Sequence, residues 1–175
     1  MSEAPFTVEA LGRQDRASFS CGDPALDRYV REQARQDQER RASNCFVLVE
    51  RATGMVVAYC TLSSTEVAKM SIPSRVRKKL AGYPTIPAAL IGRLAVDSRY
   101  QRQRLGEALL AWATEQMQRS AAACALLVVD AYPEAAGFYR RFGFRPVLGQ
   151  ELRLYYPLSA KLQDLAKQVA AAGEE

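Results

Sequence analysis

The chain has 175 residues, enough for one domain with a hydrophobic core, and 49% of them are hydrophobic while 25% are charged. A net charge of +5 favours acidic partners, such as nucleic acid or a nucleotide cofactor. The sequence contains no histidine, which excludes Ser-His-Asp and Cys-His catalysis and argues against a metal site.

Nothing in the sequence points to a membrane or to an oxidising compartment. No apolar run reaches the length of a membrane span, and the N-terminus, MSEAPFTVEAL, lacks the features of a signal peptide. We therefore expect a cytoplasmic protein. The sequence shows no linker, so we expect one domain over residues 1–175. It also has no Cys-x-x-Cys pair, so we expect reduced core thiols, mostly in apolar strands, at Cys21, Cys45, Cys60 and Cys124.

The first part of the chain predicts a strand, a helix and a β-hairpin. Phe6–Leu11 has the composition of a strand, and Asp23 with Pro24 forms a helix-start signal. Residues 45–50 and 55–63 are apolar runs separated by a Thr-Gly turn, which predicts two antiparallel strands. The charged residues of the helix are most simply a solvated face, made of Arg28, Arg31, Glu32, Arg35, Asp37, Glu39 and Arg40.

A dense group of cations follows the hairpin. Pro73 allows a short helix to start. Within positions 75–79, four of the five residues are cations: Arg75, Arg77, Lys78 and Lys79. Such a group repels itself unless an anion lies opposite. Two interpretations stay open, an exposed solubility patch and a contact with an RNA backbone.

The centre of the chain reads as strand, tight loop and helix. Ile91–Val96 is an apolar run of strand length, and a helical period starts at Leu105. The first N–H groups of a helix lack internal acceptors, and Arg102 and Arg104 add charge beside them. The stretch therefore predicts an anion site that fits a phosphate-bearing cofactor; the alternative is an ordinary turn with solvated arginines.

The remainder predicts a parallel strand pair followed by smaller elements. Ala123–Val129 is a second apolar strand, so strand, helix and strand form a right-handed βαβ unit. A short helix then ends at Gly143. Leu152–Leu158 predicts a last strand, and Ser159–Ala172 a terminal amphipathic helix.

Two motifs carry a family resemblance. Gln101 to Gly106 resembles the acetyl-CoA loop of the GNAT (Gcn5-related) N-acetyltransferases, Q/R-x-x-G-x-G/A, with Arg104 in place of the middle glycine. The segment EAAGFYRRFGFRP is similar to the family's A-x-x-F-Y-x-x-x-G-F motif, matched by Ala135, Phe138, Tyr139, Gly143 and Phe144. Their order and separation match the family as well.

The resemblance implies the GNAT fold and acetyl-CoA as cofactor. This fold is α/β (α+β), a mixed central sheet splayed between two parallel strands, here 89–96 and 123–129, and flanked by helices. Tyr139 is implied as the general acid that protonates the leaving thiolate, with a core tyrosine as the alternative. The pantetheine arm is implied to pair with the backbone of residues 94–96. The implied cofactor residues are Leu94, Ala95, Val96, Gln101, Arg102, Gln103, Arg104, Leu105, Gly106, Glu107, Ala135 and Phe138.

A closer resemblance covers nearly the whole chain. The blocks Phe19–Gly22, Ala25–Tyr29, Ala34–Gln38, Cys45–Val47 and Gly92–Asp97, with the segment SRVRKKL, look like the GNAT toxins of bacterial toxin–antitoxin systems. This resemblance implies acetylation of the α-amine of aminoacyl-tRNA, which blocks translation, and neutralisation by a ribbon-helix-helix antitoxin; it also allows a homodimer. The implied tRNA contacts are Arg75, Arg77, Lys78, Lys79 and Arg93.

The chemistry of the substrate agrees with the missing histidine. An aminoacyl α-amine has a pKa near or below about 8, so a sizeable fraction is neutral and no strong base is required. Two other classes stay open, a GNAT enzyme for a small amine or a protein, and a non-catalytic module that binds acetyl-CoA or RNA.

Overall fold

The computed structural model describes residues 3–173, so the outermost four residues of the predicted 1–175 domain lie outside the described residues. The strands are β1 Phe6–Ala10, β2 Asn44–Glu50, β3 Val56–Ala68, β4 Thr85–Val96, β5 Leu126–Asp130, β6 Arg145–Val147 and β7 Gln150–Pro157. They form one mixed sheet in the order β1-β2-β3-β4-β5-β7-β6, with β4 and β5 parallel. The predicted α/β class and parallel pair are confirmed.

Side-chain caps mark the start of α1 and of α6. Asp23 accepts the backbone N–H of Ala25 at 2.9 Å, and Ser159 accepts that of Leu162 at 3.2 Å. Within residues 3–173 no helix is long and apolar enough to cross a membrane. The helices are α1 Pro24–Arg28, a π-helix Tyr29–Gln33, α2 Ala34–Glu39, a 3-10 turn Lys69–Ser71, α3 Ser74–Arg77, a 3-10 turn Ser98–Tyr100, α4 Leu105–Gln118, α5 Ala136–Phe142 and α6 Ala160–Ala172.

The chain divides into two compact units, and the first holds residues up to 63 and 92–112. In this unit β2 pairs antiparallel with β1 and with β3, as the predicted hairpin requires. Its core is apolar and aromatic because these strands alternate and the first helices bury one face. The core includes Phe19, Tyr29, Val30, Cys45, Val47, Tyr59 and Ala95.

The second unit holds residues 64–91 and those from 113 onward. Here Ala88–Ile91 pairs with Leu126–Val129 in parallel, and β5 pairs with β7. The predicted start of β5 at residue 123 was three residues early, because residues 119–123 are exposed. The short strand β6 was not predicted, since three residues are too few to show a period. The core includes Ile72, Val76, Leu80, Leu126, Val128, Tyr155 and Val169.

All four cysteines are free, as predicted. Burial raises the pKa of the Cys45 thiol to about 12, which keeps it protonated and unreactive. Burial also raises the pKa of Cys21 to about 11. The expectation that most thiols lie in strands holds for Cys45 and Cys60 only, since Cys21 and Cys124 lie in loops and are partly exposed. No cluster of metal-ligating side chains occurs among the described residues.

Replacement of Gly143 with alanine should destabilise the protein more than the same change at Gly149. Gly143 has a φ of +125°, and an added Cβ would lie 3.0 Å from Cε2 of Tyr156. At Gly149, with φ +78°, an added Cβ meets nothing within 4 Å. We expect losses of about 2 to 3 kcal/mol for Gly143→Ala and about 1 kcal/mol for Gly149→Ala in urea unfolding. Equal losses would show that the Tyr156 side chain moves away from the added Cβ without a cost in unfolding free energy.

Candidate active site

The loop between β4 and α4 has an unusual backbone. Arg102 and Arg104 have φ values of +66° and +58°, in the left-handed region that ordinary side chains disfavour. The carbonyl of Arg104 accepts the Ala108 N–H at 3.0 Å, so Arg104 lies at the start of α4. A left-handed residue followed by a right-handed helix turns successive N–H groups to one side, the arrangement called a nest.

The charges beside this nest suit a phosphate. Arg102 and Arg104 are exposed, and the first N–H groups of α4 lack acceptors within the helix. The positive end of the helix dipole adds to both. Leu105 is buried and anchors the turn, while Gly106 is half-buried and Glu107 is exposed. This donor set of N–H groups and guanidiniums therefore matches a diphosphate.

A buried carboxylate fixes the start of the loop. Asp97 is 1% exposed, and its Oδ2 accepts the Ser20 N–H at 3.1 Å. Its Oδ1 accepts the N–H and the Nε of Arg99, each at 2.9 Å. Burial opposes the charged form of Asp97, but the hydrogen bonds from Arg99 and Ser20 outweigh that cost and hold the pKa of the carboxyl below its usual value. Asp97 thus joins the loop to a segment 77 residues earlier in the chain.

Gln101 anchors the same loop from its other side. Its Nε2 donates to the carbonyl of Cys21 at 3.2 Å and to that of Val96 at 3.1 Å. The Ser98 N–H also donates to the Ser20 carbonyl at 2.8 Å. The Nε2 of Gln101, a residue expected at the cofactor, thus helps to hold the loop.

The segment Phe19–Cys21 is held from the opposite direction as well. Arg31 donates to the Phe19 carbonyl from Nη2 at 2.7 Å, and Asp27 accepts the Cys21 N–H at 2.7 Å. Asp27 is 7% exposed. Arg31, which the sequence placed on a solvated face, therefore has a structural role, and the segment connects the first helices to the loop.

Arg93 stacks on an ordered aromatic ring. Its guanidinium carbon lies 3.5 Å from the ring centroid of Tyr29. The Tyr29 hydroxyl donates to Asp37 at 2.8 Å, and its ring stacks on Tyr59 with centroids 6.3 Å apart. Hydrogen bonds from Gln33 and then from Tyr29 lower the pKa of the Asp37 carboxyl. Asp37 was also predicted as solvated, but it orients Tyr29 and through it Arg93.

Tyr139 lies on α5 in the second unit. The residue is 5% exposed, and its ring meets Phe138 and Phe144 edge-on, with centroids 5.1 Å and 5.4 Å away. Ala135 starts the helix by accepting the Phe138 N–H at 3.0 Å. The ring of Tyr139 therefore has one orientation, which both a core role and a catalytic role require.

The predicted cation group lies on and after the short helix α3. Val76 and Leu80 are buried beneath it, while Arg75, Lys78 and Lys79 are exposed. Arg77 is half-buried. The side chains thus divide between the core of the second unit and the solvent.

Comparison with known proteins identifies the fold. Residues 41–146 match the family described as an acetyltransferase (GNAT) domain, which covers more than half of the chain. The chain belongs to the GNAT acetyltransferases. The implied GNAT fold and N-acetyltransferase class are confirmed, and acetyl-CoA is the family's cofactor.

Within the GNAT family, the chain is similar to three proteins that are toxins or toxin mutants. A tRNA-acetylating toxin of Mycobacterium tuberculosis (strain ATCC 25618 / H37Rv) is 37% identical over 133 residues, 74% of this chain and 78% of that protein. AtaT complexed with acetyl-methionyl-tRNAfMet has a TM-score of 0.81 at 26% identity, covering 96% of this chain and 99% of that one. A tyrosine-to-phenylalanine mutant of AtaT, bound to the C-terminus of the antitoxin AtaR and acetyl-CoA, has a TM-score of 0.76 at 25% identity, covering 93% and 98%.

The loop of this GNAT chain fits the diphosphate of acetyl-CoA. The N–H groups of the nest and the two exposed arginines are all hydrogen-bond donors, and their positive charge is opposite to that of the phosphate oxygens. Arg104 lies where the family has glycine, and it takes the left-handed backbone that glycine adopts freely. The departure from the motif therefore keeps the loop shape and adds a cation.

An open cleft of about 420 Å³ lies in the second unit, where a small amine substrate could be considered. It is lined by Asp130, Gln150, Glu151, Leu152 and Arg153. The Asp130 carboxylate accepts from Arg153 Nη1 at 3.2 Å and 3.1 Å, so this charge is already paired. Glu151 alone is a weak site for a polyamine, and the cleft does not favour that alternative.

Asp97→Asn should destabilise the protein and flatten its acid sensitivity. Because folding lowers the pKa of Asp97, its stabilisation is fully present above the unfolded pKa of about 3.9 and is lost as the pH falls through the folded pKa. We expect a loss of about 1 to 3 kcal/mol at pH 7 and a shallower decline below pH 4. Unfolding free energies across pH measure both. Asp130→Asn, whose ion pair is exposed, is the control and should change little; equal effects would contradict the role of Asp97.

Arg104→Gly should give a more stable protein than Arg104→Ala. Both changes remove the charge, but only glycine removes the cost of the left-handed backbone, about 1 to 2 kcal/mol for an ordinary residue. Part of that gain is offset by the greater freedom of glycine in the unfolded chain. We expect a difference of about 1 kcal/mol by thermal unfolding, and no difference would mean that Arg104 is unstrained.

Proposed function

We propose that this chain transfers an acetyl group from acetyl-CoA to the α-amine of aminoacyl-tRNA, and that it acts as a toxin by blocking translation. The likeness to the tRNA-acetylating toxin carries the proposal, because it reaches 37% identity and extends over most of both chains. The AtaT complex with acetyl-methionyl-tRNAfMet supports the same substrate class.

The cofactor residues act by binding and orientation. Bound acetyl-CoA supplies an acetyl group activated as a thioester. The nest of residues 102–106 and the guanidiniums of Arg102 and Arg104 hold the diphosphate, while Asp97 and Gln101 keep the loop in shape. The pairing of β4 with β5 covers Ala88–Ile91, and Leu94, Ala95 and Val96 offer their backbone to the pantetheine arm. Ala135, Phe138 and Glu107 complete the proposed contacts.

Tyr139 is the proposed general acid. A phenol with a pKa of about 10 keeps its proton at neutral pH and can donate it to the thiolate as the C–S bond breaks. The proton that the amine loses on attack then restores the phenol. The flanking rings of Phe138 and Phe144 hold the ring of Tyr139 in place. Tyr139 Oη thus holds the proton that the leaving thiolate takes.

No residue has to act as a strong base. The chain has no imidazole, and its substrate amine, with a pKa near or below about 8, is substantially neutral at cellular pH. A lysine side chain, with a pKa of about 10.4, would require a base. The composition therefore favours aminoacyl-tRNA over a protein lysine.

The proposed tRNA contacts are basic. Arg75, Arg77, Lys78 and Lys79 bring charge to an RNA backbone. Arg93 is stacked by its face on Tyr29, which leaves the N–H groups at the edge of the guanidinium for a phosphate.

The remaining parts of the proposal concern partners and location. An antitoxin neutralises the chain, as supported by the AtaT complex with AtaR. We propose that this antitoxin is of the ribbon-helix-helix class, that the toxin forms a homodimer, and that one domain over residues 1–175 works in the cytoplasm.

Acetyl transfer to bulk charged tRNA tests the function directly. Labelled acetyl-CoA should mark aminoacyl-tRNA, and alkaline release should yield N-acetyl amino acids by mass spectrometry. Deacylated tRNA, polyamines and lysine-rich protein should stay unlabelled. Labelling of the small amines or protein alone would replace the tRNA substrate, and no labelling with retained acetyl-CoA binding would favour a binding module.

Tyr139→Phe should slow the chemical step by roughly a hundredfold or more, the usual scale for loss of a general acid. It keeps the ring packing, so stability should fall by at most about 1 kcal/mol. Single-turnover acetyl transfer gives the rate, and growth on induction gives the biological effect: the native chain should arrest its host and the variant should not, at equal soluble expression.

Tyr156→Phe is the matched control for this change. It lies in the same unit, half-buried, with its ring 5.2 Å from that of Phe144. It should keep full activity. A fully active Tyr139→Phe variant would return Tyr139 to a core role and assign the proton to solvent or another group.

A further inference from the structure

Two large apolar side chains are exposed at one place in the second unit. Tyr83 is 71% exposed and Met70 is 70% exposed. They are the most exposed large hydrophobic residues within the described range, above Tyr132 at 54%. Single exposed apolar residues are common on protein surfaces, but neighbouring ones can mark a binding site, and tyrosine is enriched at interfaces.

A backbone hydrogen bond brings the two positions together. The N–H of Lys69 donates to the carbonyl of Pro84 at 2.9 Å, which closes the segment 69–84 into a loop. Met70 and Tyr83 are the residues directly inside this closure. They therefore flank the same point of the surface, from two ends of one segment.

The backbone of the loop is anchored at several points. Ile72 and Val76 are fully buried in the core of the second unit, and Leu80 is 9% exposed. The carbonyl of Ser71 accepts the N–H of Leu148 at 2.8 Å. An aromatic ring on such a support loses little conformational freedom when a ligand binds.

The charge of the segment selects a polyanion. Residues 69–84 contain five cations, Lys69, Arg75, Arg77, Lys78 and Lys79, and no aspartate or glutamate. Lysine is depleted at the centres of protein–protein interfaces, so this composition disfavours a protein partner. Cations that follow a backbone, together with an aromatic ring for a base, are the usual features of single-stranded nucleic acid binding.

We propose that Tyr83 is a stacking platform for an unpaired nucleobase at the 3′ end of the substrate tRNA, with Met70 beside it and the lysines on the adjoining phosphates. The inference rests on the proposed function, since the aminoacyl group is carried on a single-stranded RNA end. Stacking tolerates any base because every base has a π face. Tyr83 thus adds affinity without choosing the tRNA.

Three variants at Tyr83 separate stacking from apolar contact. Tyr83→Phe keeps the ring, Tyr83→Leu keeps apolar area without a π face, and Tyr83→Ala removes both. We expect Tyr83→Ala and Tyr83→Leu to raise KM for charged tRNA about 5- to 100-fold, the usual effect of losing one base–aromatic stack, and Tyr83→Phe to stay near native. Acetyl-CoA affinity and kcat should be unchanged in all three.

Salt dependence distinguishes the ring from the cations. Tyr83→Ala should weaken tRNA binding at every salt concentration and leave the slope unchanged. Lys78→Ala with Lys79→Ala should flatten the slope by about one to two, one unit for each lost phosphate contact. A changed slope in Tyr83→Ala, or an unchanged KM, would overturn the stacking role while tRNA acetylation by the native chain still stands.

Fluorescence tests the contact even if tRNA proves not to be the substrate. In Tyr83→Trp, a single-stranded oligoribonucleotide ending in CCA should quench the new indole, and a blunt duplex of the same sequence should not. The native chain, with Trp112 as its sole tryptophan, gives the background. Absence of quenching overturns the proposal. The proposal would also be overturned if Tyr83→Ala changed the oligomeric state or antitoxin binding but left the KM for tRNA unchanged. That result would make this face a protein interface.

Discussion

The loop between β4 and α4 depends on the charge of Asp97. A carboxylate that is 1% exposed would be strongly unfavourable without partners, since an uncompensated buried charge costs several kcal/mol. Four N–H donors satisfy it, from the Ser20 backbone and from the backbone, Nε and Nη2 of Arg99. These donors belong to two distant segments of the chain. The hydrogen bonds that stabilise the charge of Asp97 therefore also fix the position at which the loop starts.

The same logic extends to the first helices. Arg31 and Asp27 hold the segment Phe19–Cys21, whose other side bonds to Asp97 and Gln101. Asp27 belongs to α1 and Arg31 to the π-helix Tyr29–Gln33, which also carries Tyr29, the ring under Arg93. π-helical turns are uncommon and often occur at functional sites. A network of polar contacts therefore links the loop proposed to hold the phosphates to the residue proposed to hold RNA.

The sequence predicts those parts of the structure that depend on local pattern. Period and caps locate the hairpin, the parallel pair and the end of α5 at Gly143, and two motifs indicate the family. Long-range contacts leave no such signal: the sequence shows Asp97 only as the end of the block Gly92–Asp97, because its partner Ser20 is 77 residues away. The left-handed backbone of Arg104 could not be predicted either, since local preference opposes it and tertiary contacts impose it.

The strain in the loop bears on what its arginines do. Two non-glycine residues in the left-handed region cost about 1 to 2 kcal/mol each, and glycine at either position would avoid that cost. A hydrogen bond to a charged group contributes about 1.5 to 3 kcal/mol, and a guanidinium can make two such bonds to a phosphate. The contacts can exceed the strain only when an anion is bound. With the proposed phosphate contacts, the two arginines make the loop less stable when it is empty and more stable when it is occupied, which increases the free energy by which a bound cofactor stabilises the loop.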